Sequence, residues 1–479
     1  MKKIIAMVAA VTTFALVGAT GCKKKEGAEP EKPVYQSTET YDIGMWVGVS
    51  DKICEYDEEG HKISSRMMSD DEFLEKYRDI AAAGITIAFP GYDVMIDGGS
   101  YNLKALKAAK EVGIRHIIGD AELRTYLLGA KTLVDSEVKT EDEVVEDIRN
   151  LISKYTESEY ADALYGFMVR DEPSADLFDS LGYAEKVFKK AAPDLMFYVN
   201  LFPVIAGGQQ LGGGSPIKYD AYLSRWISSV KNDYISYDHY PLYGDGVKTS
   251  IEESFLYNMD VIQTKIREEG KNRKLWTFLQ SIQFGGKNRA LESKADAAFQ
   301  AYSFLAYGGD CIQWFCYAAP PENDGATHFG NNSLVTREYE KTPTYDYVSA
   351  VNADVQAMMK YYKCFDWKGV MLSSVYDDTG NFGMLEGSEN VISSAKAKGF
   401  ESTEDAFAGV FEDANGREGY LVVNFTDPAL KRKNTVTMTF EGATRAIVVR
   451  GGEETVEKLD GGKLVLEMSE GDGFFVIPY

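Results

Sequence analysis

The sequence predicts a (β/α)8 TIM barrel followed by an all-β antiparallel sandwich, and three observations carry that reading. From about Tyr41 to Tyr362, eight apolar strand-like segments alternate with segments of helical period, the pattern of βαβ units around a parallel sheet. After Tyr362 the pattern changes to short alternating runs separated by Asn-Gly, Asp-Gly and Gly-Gly turns, as in an antiparallel sandwich. No strand is followed by GxGxxG or a Walker-type loop, which disfavours a doubly wound nucleotide-binding sheet. A chain of 479 residues has room for one large domain and a smaller one.

The amino terminus reads as an address. Residues 1–21 form a secretory signal, with Lys2 and Lys3 ahead of an apolar run from Ile4 to Val17. That run is shorter than the ~20 residues of a comfortable membrane span. Ala19-Thr20-Gly21-Cys22 follows and resembles a bacterial lipobox, with Ala19 where Leu is usual. The resemblance implies that Cys22 becomes the acylated first residue of a protein secreted across the cytoplasmic membrane and lipid-anchored at the cell surface or outer membrane. An ordinary cleavage site beside an incidental Cys is the alternative. Residues 22–40 include the charged string KKKEGAEPEKP and read as a flexible tether.

Residues 41–365 are assigned to the barrel. The expected strands are Ile43–Val49, Ile85–Phe89, Ile114–Gly119, Leu164–Val169, Met196–Asn200, Tyr234–Tyr237, Leu275–Leu279 and Cys311–Cys316. Amphipathic segments between them include Asp71–Ala83, Leu103–Val112, Glu141–Thr156, Tyr183–Ala192, Ser250–Glu269 and Lys294–Tyr307. Eight such strands in about 320 residues match a barrel with some enlarged loops. The Gly-rich stretch Gly207–Ser215 follows strand five, where barrel enzymes carry substrate loops. Residues 366–479 are assigned to the sandwich, with strands at Ala406–Glu412, Gly419–Asn424, Thr435–Phe440, Arg445–Arg450, Lys463–Met468 and Phe474–Tyr479.

Composition excludes several functions. The 51 Lys and Arg against 74 Asp and Glu give a formal net charge of −23, a surface that repels phosphate backbones, so no nucleic-acid partner is expected. Four histidines, none in an HExxH pattern, predict no metal centre and no cofactor. Glu322, Asp324 and His328 lack metal-ligand spacing as well. Cys54, Cys311, Cys316 and Cys364 have no zinc-knuckle spacing and are expected to be buried free thiols. Aromatics make up 12% of the chain, and their faces suit stacking on sugar rings as well as core packing.

Barrel chemistry sits at the carboxyl ends of strands. Strand four ends Arg170-Asp171-Glu172-Pro173-Ser174. A Glu partly desolvated there, beside Asp171, acquires a raised pKa and can donate a proton to a leaving oxygen. The same string also opens helices, where carboxylates favour the dipole. Strand six ends Ser236-Tyr237-Asp238-His239-Tyr240-Pro241. Period-two alternation puts Ser236, Asp238 and Tyr240 on one face and Tyr237 with His239 on the other. Asp238 then occupies an inward-facing site position, or else caps the loop or pairs with an Arg. Asn200 at the end of strand five, Gln280 at strand seven, Trp314 on strand eight and Trp46 on strand one are further candidates. An amide can hydrogen-bond a sugar hydroxyl, and an indole can form a stacking floor.

Taken together, the secreted lipoprotein leader, Asp-Glu-Pro on strand four, Tyr-Asp-x-Tyr-Pro on strand six, the strand-eight Trp and the terminal sandwich resemble the (β/α)8 glycoside hydrolases. In the large retaining clan of that superfamily strand four carries Asn-Glu, the Glu being the acid/base; Glu172 matches it and Asp171 replaces the Asn. The clan's nucleophile is a Glu ending strand seven, where this chain reads Leu279-Gln280-Ser281. Asp238 is then the second carboxylate, or the substrate assists, or the protein only binds glycan. The resemblance implies an extracytoplasmic hydrolase of oligo- or polysaccharides with Glu172 and Asp238 catalytic. Trp46, Asp171, Asn200, Tyr237, His239, Tyr240, Gln280 and Trp314 would bind substrate. A non-catalytic carbohydrate-binding lipoprotein is the alternative.

Overall fold

A computed structural model describes residues 30–57, 62–91, 99–244, 248–320 and 328–479. The signal sequence, Cys22 and the rest of the tether up to residue 29, Glu322 and Asp324 lie outside those residues.

Eight parallel strands close into a barrel: Asp42–Met45, Ile87–Ala88, Arg115–Ile118, Leu164–Asp171, Met196–Leu201, Tyr234–Asp238, Lys274–Gln280 and Cys311–Phe315. Strand one pairs with strand eight (Gly44 opposite Gln313) and with strand two (Gly44 opposite Ile87), which seals the cylinder. The predicted TIM barrel is therefore present, and antiparallel sheets follow it.

Period-two alternation sorts the side chains. On strand seven Trp276 and Phe278 join an inner cluster with Ile87, Phe89, Ile117, Met168, Tyr198 and Tyr234, while Leu275 and Leu279 join the outer layer beneath the helices. The helices that cover the barrel are Asp70–Ala82, Gly99–Val112, Ala121–Asp135, Glu141–Thr156, Phe178–Ala191, Tyr219–Ser229, Phe255–Glu269, Lys294–Ala306 and Pro343–Tyr362. Several open as their sequences dictate. Ser69 with Glu72, and Thr140 with Glu143, form reciprocal capping boxes ahead of apolar-periodic stretches. The segment from Ser250 departs from expectation: a short strand, Thr249–Ile251, precedes a helix that starts only at Phe255. A hairpin of Lys52–Tyr56 and Lys62–Met67 also rises from the end of strand one.

The sandwich begins at Phe365, three residues after the last barrel helix ends. Its larger sheet orders Phe365–Ser373, Ala406–Asp413, Glu418–Asn424, Gly473–Pro478, Arg445–Arg450 and Glu453–Lys458. The smaller sheet orders Ala397–Ser402, Asn434–Phe440 and Lys463–Met468. Alternation in Asn434–Phe440 and Lys463–Met468 is strict, with every second residue in the core between the sheets. A buried ion cluster ties the two domains together: Arg289, after strand seven, reaches Asp296 at 2.6 Å and the sandwich's Asp427 at 3.2 Å. The four described cysteines are free; Cys311 and Cys316 are buried, but Cys54 and Cys364 are partly exposed because they lie in the hairpin and after the last barrel helix.

Candidate active site

Three carboxyls converge at the carboxyl ends of strands four and six. A β-bulge between Met168 and Arg170 shifts the phase of strand four, so that Asp171 lies opposite Asn200 of strand five and faces inward with it. Arg170 is thereby turned out and exposed. The next residue, Glu172, takes φ +44°, left-handed backbone that a non-glycine residue rarely adopts. Its N–H donates to the Asn200 carbonyl at 2.8 Å, which holds the turn in place. Strain of this kind, worth ~1–3 kcal/mol, gathers where function requires it. Tyr222 donates to the Pro173 carbonyl at 2.8 Å and fixes the far side of the same turn.

Asp238 ends strand six on the inward face, in phase with Ser236 and Tyr234. Its carboxyl lies near enough to that of Glu172 for each to perturb the other. Burial, then the charges of Asp238 and Asp171, push the Glu172 carboxyl far above the ordinary range. Burial, then Asp171, raise Asp238 as well, while the hydrogen bond from Asn200 pulls it back. Asp171 is pushed up to about 6, by burial against the opposing pull of Asn200 and Arg170. Such a trio resists full ionisation, because each charge placed there opposes the next, and a pair of this kind can serve as one acid and one base.

Beside the carboxyls lies an aromatic wall of which the sequence pointed to Trp46 and Tyr240 but not to Phe284, Phe315 or Phe329. The Phe315 ring sits 5.9 Å from Trp46, 5.5 Å from Tyr240 and 6.0 Å from Phe329, and Tyr240 meets Phe284 edge-on at 5.1 Å. All five rings are partly exposed. Phe284 and Phe329 come from the loops after strands seven and eight, which an isolated bridge joins at those two residues. No local sequence signal marks them. Phe315 carried one: it shares the inward phase of Cys311 and Gln313, whereas Trp314 does not.

Of the expected binding residues, Asp171, Tyr240 and Trp46 line this mouth; five others do not. Trp314 points outward, fully buried, and its indole N–H donates to Asn352 of helix Pro343–Tyr362 at 2.9 Å. Tyr237 is on the same outer face, buried under the helices. His239 is closed in between Asn258 at 3.0 Å and Glu252 at 2.8 Å. All three follow the outward phase of their strands. Gln280 has the inward phase, yet its amide is saturated: Oε1 accepts from Leu242 N–H and Asn288, and Nε2 donates to the carbonyls of Ile282 and Arg289. It clamps the loops after strands six and seven and has nothing left for a sugar hydroxyl. Asn200 is likewise buried and saturated, facing the carboxyls and not the opening.

Among the described residues no group of three or more His, Cys, Asp or Glu is disposed to hold a metal ion. None of the described helices is long and apolar enough to cross a membrane.

No family model matches the chain, and no curated protein sequence matches it. Its structural neighbours are glycoside hydrolases. They include an alpha-amylase from Anoxybacillus (11% identity, covering 91% of this chain and 97% of that one, TM-score 0.47). A xyloglucanase from Paenibacillus polymyxa matches at 11% identity over 94% of this chain and 97% of its own, TM-score 0.39. A beta-galactosidase from Marinomonas ef1 matches at 10% identity over 73% and 66%, TM-score 0.44. Likeness at this level says nothing about chemistry, which rests on the site's own geometry.

Proposed function

We propose that the protein is an extracytoplasmic glycoside hydrolase of oligo- or polysaccharides, with Glu172 as general acid/base and Asp238 as the second catalytic carboxylate. The observation that carries this reading is the closely placed Glu172–Asp238 pair, strained at Glu172 and partly exposed at the barrel mouth. One proton on such a pair supplies both the acid and the base that glycoside cleavage requires.

Carboxyls close enough to perturb each other's ionisation favour the retaining arrangement over the inverting one. Inverting enzymes keep their carboxyls ~6.5–9.5 Å apart to seat a water, whereas retaining pairs stand ~5–5.5 Å apart. Glu172 gives its proton to the glycosidic oxygen as the bond to the anomeric carbon breaks, and an Asp238 oxygen bonds to that carbon. Glu172, now ionised, then takes a proton from a water whose oxygen attacks the same carbon and releases Asp238. Asp171 accepts from a sugar hydroxyl, and Trp46, Tyr240 and Phe315 cover the apolar face of a sugar ring. The lipobox-like string supports Cys22 as the anchor that would hold this site outside the cell.

The test is hydrolysis of nitrophenyl glycosides and natural oligosaccharides by wild type and Glu172→Gln, with the anomer of the first product read by NMR. Turnover lost in the variant while glycan binding persists supports the hydrolase, and a retained anomer supports Asp238 as nucleophile. Equal glycan binding by both proteins with no turnover in either turns the reading to a carbohydrate-binding lipoprotein.

A further inference from the structure

We propose that Asn200 is a positioning residue that decides which of the three carboxyls carries the proton, keeping Asp171 and Asp238 as acceptors and leaving the proton to Glu172. This rests on the hydrolase reading for its role in turnover, but not for the geometry behind it. Asn200 touches all three residues. Its Nδ2 stands 2.8 Å from Asp238 Oδ1 and 3.3 Å from Asp171 Oδ1, and its backbone carbonyl accepts the Glu172 N–H at 2.8 Å.

The orientation of its amide is set from below. Tyr198 O–H donates to Gln313 Oε1 at 2.7 Å, Gln313 Nε2 donates to Ser236 Oγ at 2.9 Å, and Ser236 O–H donates to Asn200 Oδ1 at 3.0 Å. The same Ser236 hydroxyl stands 2.9 Å from Tyr198 Oη, where either oxygen can be the donor, which ties the two ends of the chain together. Turning the Asn200 amide over would set Nδ2 against the Ser236 hydroxyl proton and Oδ1 against two carboxylates. All four residues are at most 2% exposed, so water does not compete for these bonds, and each bond polarises the next. The chain therefore ends in two N–H groups and no acceptor. A carboxyl oxygen facing an N–H cannot also bear a proton there, so the oxygens of Asp171 and Asp238 that face Asn200 stay bare. Glu172 receives only a backbone constraint from Asn200 and keeps the proton.

Other titratable or charged groups do not perform this selection. Arg170 acts on Asp171 from an exposed position on strand four. Tyr198 on strand five, Tyr240 after strand six, and Tyr219 and Tyr222 on helix Tyr219–Ser229 are all held protonated by burial. They contribute no charge at neutral pH.

The experiment compares wild type, Asn200→Ala and Tyr198→Phe by two readouts, with Glu172→Gln as control. In the pH profile of kcat/KM, the acidic limb reports ionisation of the second carboxylate. It moves up by about one pH unit in Asn200→Ala, so activity falls about tenfold at pH 5 and much less at pH 8. Tyr198→Phe, which cuts the chain at its far end without touching a carboxyl, shifts the limb the same way by less. The substrate-free readout is thermal unfolding from pH 4 to 8. The gap in Tm between wild type and Asn200→Ala widens as pH rises, because the variant loses the donors that stabilise ionised Asp171 and Asp238 in the fold. A loss of the same size at every pH, with unmoved limbs and a constant Tm gap, overturns the proposal. If Asn200→Ala does not fold, the Tyr198→Phe profile decides alone. If Glu172→Gln remains active, the hydrolase reading fails while the Tm comparison still judges Asn200.

Discussion

Strands six and seven end side by side at the barrel mouth, each with an inward polar residue, and the two residues live opposite lives. Gln280 uses every donor and acceptor it has on backbone and side-chain groups of two loops. Asp238 has one oxygen on Asn200, stands against the Glu172 carboxyl, and is held by desolvation away from its ordinary ionisation. Position and polarity are alike; satisfaction is not. A polar group whose bonds are complete builds structure, while one kept short of partners and charged against its preference retains free energy to spend on a substrate. The contrast also bears on the strand-seven position where the resemblance leads one to expect a Glu: the amide of Gln280 completes a clamp there, and under the proposed function the second carboxylate is Asp238 on strand six.

The largest effect that would break this contrast is on turnover. Glu172→Gln and Asp238→Asn are each expected to lower kcat/KM by about 10³-fold, within the range for removal of a proton-transfer group, with unchanged circular dichroism. Gln280→Ala is expected to act on stability instead. It strands buried N–H and C=O groups of Leu242, Arg289 and Ile282 and loosens Arg289, which reaches Asp296 and the sandwich's Asp427. A loss of about 3 kcal/mol in urea unfolding follows from such uncovered groups. Turnover abolished in Gln280→Ala at wild-type stability would erase the distinction between the two strand ends.

How much of this was legible in the chain depends on where each signal resides. The barrel was, because inward and outward phases repeat along every strand. The phase on strands six and eight even excluded Tyr237, His239 and Trp314 from the mouth, although chemical appeal placed them there. Asp171 was not legible as an inward residue: its direction depends on a bulge at Met168–Arg170, and counting by twos from Met168 would have turned it out. Gln280 misled for a different reason. Its phase is inward, but its partners Leu242 and Arg289 come from loops whose approach no local pattern encodes. Phe284 and Phe329 are equally the product of loop meeting loop.

A smaller effect separates the aromatic wall from the aromatic core. Phe315→Ala is expected to raise KM about tenfold while kcat changes little, since a stacking face binds ground and transition states alike. Trp314→Phe, one residue away and facing out, is expected to leave both constants unchanged and cost about 2 kcal/mol, by emptying part of a packed site and stranding the Asn352 oxygen. Steady-state kinetics beside urea titrations distinguish the two. Reversed outcomes would mean that strand eight is read in the wrong phase.

The smallest effect concerns stability against pH, and its sign follows from the same carboxyl trio. Glu172, Asp238 and Asp171 are all raised in the folded state, so the fold binds their protons more tightly than the unfolded chain does. Their contribution is fully present below the ordinary carboxylate range and is lost as pH climbs through that range toward neutrality and above. Glu172→Gln mimics the protonated acid permanently. It should therefore match wild type near pH 4 and exceed it by about 1 kcal/mol at pH 8, a gain that Gln280→Glu, which adds a carboxyl to a saturated clamp, should reverse in sign. Unfolding curves at the two pH values measure this directly. A Glu172→Gln protein no more stable than wild type at pH 8 would show that the carboxyls at the mouth titrate as ordinary solvated acids, and the mouth would then hold no more stored free energy than the clamp beside it.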